Sequence, residues 1–268
     1  MAKPRAAQAV ATGGSAGSRP SPEARRINGY RRMSGLAGLV FAVLFGAALV
    51  LLHEAPGLGV PDGEYTAFYR DGGGGLLVTV GLYVVPFAGI AFLWQLAATR
   101  ALLNVSAAAG GAGAHGSRAA TEIPRLLQLA SGVLFVAMLF AGSSAVGAVA
   151  LLGSFSPAPL PSPEVARALS ATGYGLVFVF GVRAAGMYMI TTTTLTRAVG
   201  LLPRWVAVLG YLAAAFLLVS TTFHPAILLV FPLWTVLVSV VLLVRGGPPP
   251  RRRSAPPPQP HVDGSELS

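Results

Sequence analysis

Six apolar runs, each close to the thickness of a lipid hydrocarbon core, limit what this chain can become. They extend approximately from Ser34 to Leu52, Leu76 to Leu96, Leu126 to Leu152, Gly173 to Leu195, Trp205 to Ser220 and Ala226 to Val244. A helix rising 1.5 Å per residue crosses a core of about 30 Å in roughly 20 residues. Hydrocarbon offers backbone N–H and C=O groups no water to bond, so such runs are expected as helices that satisfy themselves. The fifth run is the shortest. It is joined to the sixth across Thr221-Thr222-Phe223-His224-Pro225, a spacing that predicts a helical hairpin, and Arg204-Trp205 forms an interfacial anchor at its other end. Composition agrees: 54% of residues are hydrophobic and 10% charged, where a soluble domain carries about a quarter charged.

The cationic residues set the expected threading. With the N-terminus in the cytoplasm, the inner segments hold 16 of the 19 Lys and Arg residues, the outer segments hold Arg70 and Arg167, and Arg183 lies within a span. Positive charge resists translocation, so short loops keep it inside. The net charge of +10 is thereby a consequence of topology, and a nucleic-acid partner is not expected. The first apolar run is longer than the 7–15 residues of a signal core, and no small-x-small cleavage pattern follows at His53-Glu54-Ala55-Pro56, so it is expected to stay as an anchor. Residues 1–33 and 246–268 are expected to be disordered cytoplasmic tails flanking a membrane domain over 34–245, and the loop around Ala107 to Ser117 has the same low complexity. The chain has no cysteine, which excludes disulfides, thiolate catalysis and Cys-based metal sites.

Shifted by 100 residues without a gap, Pro61, Glu64, Gly73, Gly75, Leu76, Gly81 and Ile90 fall on Pro161, Glu164, Gly173, Gly175, Leu176, Gly181 and Ile190. The expected fold is therefore an all-α bundle of six transmembrane helices. It comprises three sequential hairpins, the first two forming a parallel repeat about an axis along the membrane normal. Small residues at four-residue spacing let membrane helices approach closely. Gly38, Ala42 and Gly46 have that spacing on the first run, as do Ala137, Ala141 and Ala145 on the third, Gly181 and Ala185 on the fourth, and Gly210 and Ala214 on the fifth.

Arg183 stands about ten residues from each end of the fourth run, where an arginine costs roughly 2.5 kcal/mol or more to insert. The repeat pairs it with Tyr83, which makes a midplane polar site of Arg183 and Tyr83, joined by cation–π contact or a bound anion, the candidate site. The structural alternative is that Arg183 snorkels or bonds to backbone carbonyls. Pro86 and Gly186 also correspond, and both loosen a helix. His53, Glu54 and His224 lie at outer helix ends without metal-binding spacing. The hydroxyls of Thr191 to Thr194 line a vestibule or bond back to the preceding turn. No catalytic, cofactor-binding or metal-ligating set is identified.

From Gly200-Leu201-Leu202-Pro203-Arg204-Trp205 through Tyr211, with Phe231-Pro232-Leu233-Trp234 in the last run, the chain resembles a group of small uncharacterised multi-span membrane proteins of GC-rich bacteria. The resemblance implies a multi-helix membrane fold with no assigned activity and supplies no site residues. The expectation is a multi-pass protein of the cell membrane, both termini cytoplasmic, in contact with the lipid bilayer and with no cofactor. It would act as a non-enzymatic accessory or partner subunit, associating with other membrane proteins or with itself. The alternative is a small permease using the region around Arg183 and Tyr83.

Overall fold

The computed structural model describes residues 22–70, 73–109, 115–157, 159–221 and 224–245, and among these no strand occurs. The helices are α1 (Pro22–His53), α2 (Asp62–Arg70), α3 (Gly73–Ala109), α4 (His115–Phe155), α5 (Pro163–Tyr174), α6 (Val182–Ala198), α7 (Arg204–Val219) and α8 (Ile227–Val244). A π-helical turn over Gly175–Gly181 joins α5 to α6 without a break. Five of these helices, counting the continuous Pro163–Ala198 as one, are long and apolar enough to cross a membrane, as in a multi-pass membrane protein. The apolar α7, with 16 residues, is shorter.

Two expectations need correction. The tail expected to be disordered over residues 1–33 is helical from Pro22. Proline at the first helical position costs no backbone bond, and Glu23 complements the positive helix end. The loop expected around Ala107 to Ser117 is helical up to Ala109 and again from His115. With 37 and 41 residues, α3 and α4 measure about 55 and 60 Å, more than a hydrocarbon core needs. The remainder of the expected tails, residues 1–21 and 246–268, lies outside the described residues.

The long helices pack around a closed circuit in chain order: α1 on α3, α3 on α4, α4 on α6, α6 on α7, and α8 back on α1 and, less extensively, α7. Gly35 and Gly38 admit α8 to α1, since a Cβ on Gly38 would meet Ser239 Oγ and Gln95 Nε2. A Cβ on Gly46 would meet nothing within 4 Å, and Ala137 and Ala141 are exposed, so of these expected close-contact positions Gly38 makes one and Gly46, Ala137 and Ala141 do not. A close backbone crossing joins α4 to α5, where a Cβ on Gly173 would lie 2.5 Å from Gly142 O. Gly181, Ala185, Gly210 and Ala214 are buried as expected.

At the centre, Phe41 (α1), Phe92 (α3), Phe135 (α4), Tyr188 (α6) and Phe231 (α8) form a layer of mutually tilted and edge-on rings, with centroids 4.7–6.2 Å apart across the pairs Phe135–Phe231 and Phe41–Phe135. Edge-on geometry places the positive rim of one ring on the negative face of the next. Beyond this layer lie two unlike ends. The end where α1 begins and α8 finishes, the termini end, is fastened by Arg31 Nη2 donating to Leu242 O at 2.6 Å and by Arg100 Nη1 donating to Arg125 O at 2.6 Å. The opposite end carries α2 and α5 as a cap, with Tyr65, Tyr69, Val78, Val149 and Ala166 forming a second small core.

Candidate functional site

The circuit of helices is not filled along its whole length. Between the aromatic layer and the cap lies a cavity of about 270 Å³ lined by side chains of α1, α3, α4, α5, the π turn and the start of α8. Its walls include Ala48, Leu49, Val85, Ala88, Leu139 and Leu228, and Phe45 borders it where α1 enters the aromatic layer. Among the described residues no Asp, Glu, Lys or Arg lines it. Its polar groups are His53, at the cap-end terminus of α1, Tyr174, where α5 runs into the π turn, and Ser143, whose hydroxyl donates to Leu139 O within its own helix. Small side chains open this volume: Ala48 and Ala88 stand where larger residues would meet across the bundle.

The π turn belongs to this wall, because Val177 and Phe178 both line the cavity. Within it Val182 N–H bonds to Val177 O, five residues back rather than four. Such wide turns are rare and frequently occur at functional sites. Arg183 braces it: Nη1 donates to Phe178 O at 2.8 Å, and Nη2 donates to Ser220 O, just past the end of α7, at 2.9 Å. The guanidinium thus spans from the π turn to the end of the neighbouring helix. Arg183 stands about 22 Å along the helix from the Ala198 end, and its guanidinium reaches the end of α7.

Tyr83 is 57% exposed on the outside of α3, its ring 6.5 Å from that of Phe155. No cation–π contact joins it to Arg183 among the described residues, where Arg167 over Tyr65 is the one observed, at 5.5 Å. The structure does not bring the two expected site residues together. His53, Glu54 and His224 likewise form no metal-binding group of three with other described His or acidic side chains. His53 lines the cavity instead. Thr191 and Thr194 donate to the carbonyls of Met187 and Ile190 in the preceding turn, while Thr194 also bonds the Tyr211 hydroxyl and Thr192 accepts from Gln128.

The cavity has a fastened strap. The segment between α1 and α2 contributes Ala55 and Gly57 to the lining. At its far end Arg167 Nη2 donates to Val60 O at 2.6 Å and pairs with Asp62 Oδ1. On the other side of the aromatic layer, towards the termini end, the interior is polar: Ser34 and Thr99 hydroxyls bond at 2.8 Å, and Gln128 Nε2 donates to Thr192 Oγ1 at 2.9 Å. Sequence reasoning missed the cavity residues because alanines, leucines and a π turn carry no chemical signature. The glycines that bound the π turn, Gly175 and Gly181, were visible as members of the repeat, and Gly181 also as a small-residue packing position. Comparison with family models, curated proteins and solved structures finds no match for this chain.

Proposed function

We propose that the chain is a six-span integral membrane protein, both termini cytoplasmic, that works without chemistry of its own by holding a small apolar ligand in the cavity at its outer end. The cavity carries this reading. A volume of about 270 Å³ walled by aliphatic and aromatic side chains approaches the range of small-molecule pockets, which are mostly apolar with a few placed polar groups.

The threading rests on charge and helix order. The cap end bears Arg70 and Arg167, while Arg25, Arg26, Arg31, Arg32, Arg100, Arg125, Arg197, Arg204 and Arg245 belong to the termini end, the distribution of a cytoplasmic face. In this reading α7 is the sixth span. Its 16 residues reach about 24 Å, and a helix a few ångströms short is accommodated by local thinning and by flanking anchors such as Arg204 and Trp205. The parallel repeat finds support in α1–α2–α3 and α4–α5–α6, each a long helix, a short cap helix and a long helix. Pro61 and Pro161 stand just before the two cap helices, and α7–α8 completes a third pair.

A second reading, as partner subunit, is favoured by Ala137 and Ala141, which are exposed on α4 at the four-residue spacing of close helix contacts. Arg183, employed on two carbonyls, is a brace for the cavity wall rather than a transport site. The test uses the absence of cysteine. Ala48→Cys puts a single thiol on the cavity wall and Phe41→Cys one in the aromatic layer. A small apolar thiol reagent should modify the first at least ten times faster; equal rates would refute an open cavity.

A further inference from the structure

We infer that the cavity's ligand is a single-chain amphiphile, with one hydrocarbon tail of about nine or ten carbons inside and a hydrogen-bonding head at the mouth between His53 and Tyr174. The inference rests on the binding role proposed above and adds the chemistry of what is bound.

The wall fixes the tail. Ala48, Leu49, Val85, Ala88, Leu139 and Leu228 offer no hydrogen bonds, and the Ser143 hydroxyl is already given to Leu139 O. Internal water needs two to four polar partners, so apolar cavities stay dry or take apolar molecules; one of about 150 Å³ binds benzene. This one, at about 270 Å³, is nearly twice as large. A chain carbon fills about as much space as a water molecule in the liquid, roughly 30 Å³, so the volume suits about nine carbons of one chain and not two long tails.

The ends fix the polarity. His53 closes α1 at the cap side of the cavity and Tyr174 stands where the cap helix α5 runs into the π turn, whereas the opposite side abuts the phenyl ring of Phe45 and the aromatic layer. A head group that accepts or donates a hydrogen bond therefore has partners at one end only. Among the described lining residues there is no Asp, Glu, Lys or Arg, and the imidazole of His53 and the hydroxyl of Tyr174 both offer hydrogen bonds, so a hydrogen-bonding head such as an alcohol fits. Entry passes the strap that contributes Ala55 and Gly57 and is tied through Val60 and Asp62 to Arg167.

The test uses the full-length protein in phospholipid nanodiscs and a photoreactive 1-decanol carrying a diazirine at its chain end. Expected is a saturable cross-link on Leu139 or Val85, displaced by unlabelled 1-decanol, unaffected by 1-eicosanol, and reduced at least tenfold by filling the cavity with Ala88→Trp or, should that variant not fold, Leu139→Phe. Labelling confined to the exposed Phe87 and Trp94 of α3, or displacement by 1-eicosanol as strong as by 1-decanol, overturns the proposal. The Ala48→Cys thiol separates the two levels of the argument. A reactive thiol that 1-decanol does not protect leaves the cavity standing and removes the amphiphile, whereas an unreactive thiol removes both.

Discussion

Gly173→Ala and Gly46→Ala are a matched pair with opposite expected signs. A Cβ on Gly173 would sit 2.5 Å from Gly142 O and 3.0 Å from Val146 N, where ordinary contact begins at 3.4 Å. The shortfall of 0.9 Å is against backbone atoms, which cannot rotate aside as a side chain can, so α4 and α5 must separate. Overpacking of this kind costs about 1–3 kcal/mol, offset by the roughly 0.8–1.0 kcal/mol that alanine gains over glycine in a helix. The net expectation is a loss of up to about 2 kcal/mol, less if the two helices slide past one another. Gly46 meets nothing within 4 Å, so alanine there should keep its propensity gain and stabilise by up to about 1 kcal/mol. Unfolding free energies from steric trapping in bicelles would resolve a difference of this size. Shifts of the same sign for both variants would refute the assignment of the close helix crossing to Gly142 and Gly173.

Other substitutions probe the interior and the brace. Gln128 and Thr192 should show a coupling energy of about 0.6–2 kcal/mol in a double-mutant cycle with Gln128→Leu and Thr192→Val, and additive effects would deny their 2.9 Å bond. Arg183→Leu removes two bonds from a charged donor, about 1.5–3 kcal/mol each, together with an insertion cost of about 2.5–3.5 kcal/mol. The protein should therefore reach the membrane at its usual level while a cysteine at Thr221, beside the released Ser220, labels faster. Loss of the protein from the membrane would contradict the brace. The Arg167–Asp62 pair is partly solvated and should be worth about 1 kcal/mol or less, so Arg167→Gln is expected to leave the melting temperature nearly unchanged and to speed modification of Ala48→Cys by loosening the strap.

Helix positions were legible because length and hydropathy act over 20 residues at a time: the expected runs Trp205 to Ser220 and Ala226 to Val244 match α7 and α8 to within a residue. What extends beyond the apolar runs was not legible. The first turns of α1, the far ends of α3 and α4, and the cap helices α2 and α5 are built from mixed or low-complexity sequence that becomes helical by continuation and by docking. The site was hidden for a different reason. Arg183 drew attention because a charge in an apolar run is costly, yet that cost is met by two carbonyls. Ala48, Ala88 and Leu139, which shape the cavity, are indistinguishable in sequence from the alanines and leucines that face outwards. The repeat led in the wrong direction for Tyr83, since the π turn at Gly175–Gly181 has no counterpart in α3, which is α-helical over the matching residues.

The account depends on the termini and cap ends of the bundle lying on opposite sides of a membrane, with α7 crossing between them. Single cysteines in place of Gly200, in the turn before α7, and of Thr221, just after it, test this with an impermeant thiol reagent applied to intact cells. Thr221→Cys should label and Gly200→Cys should react only after the membrane is opened. Equal labelling of both in intact cells, or labelling of Gly200→Cys alone, would contradict the threading.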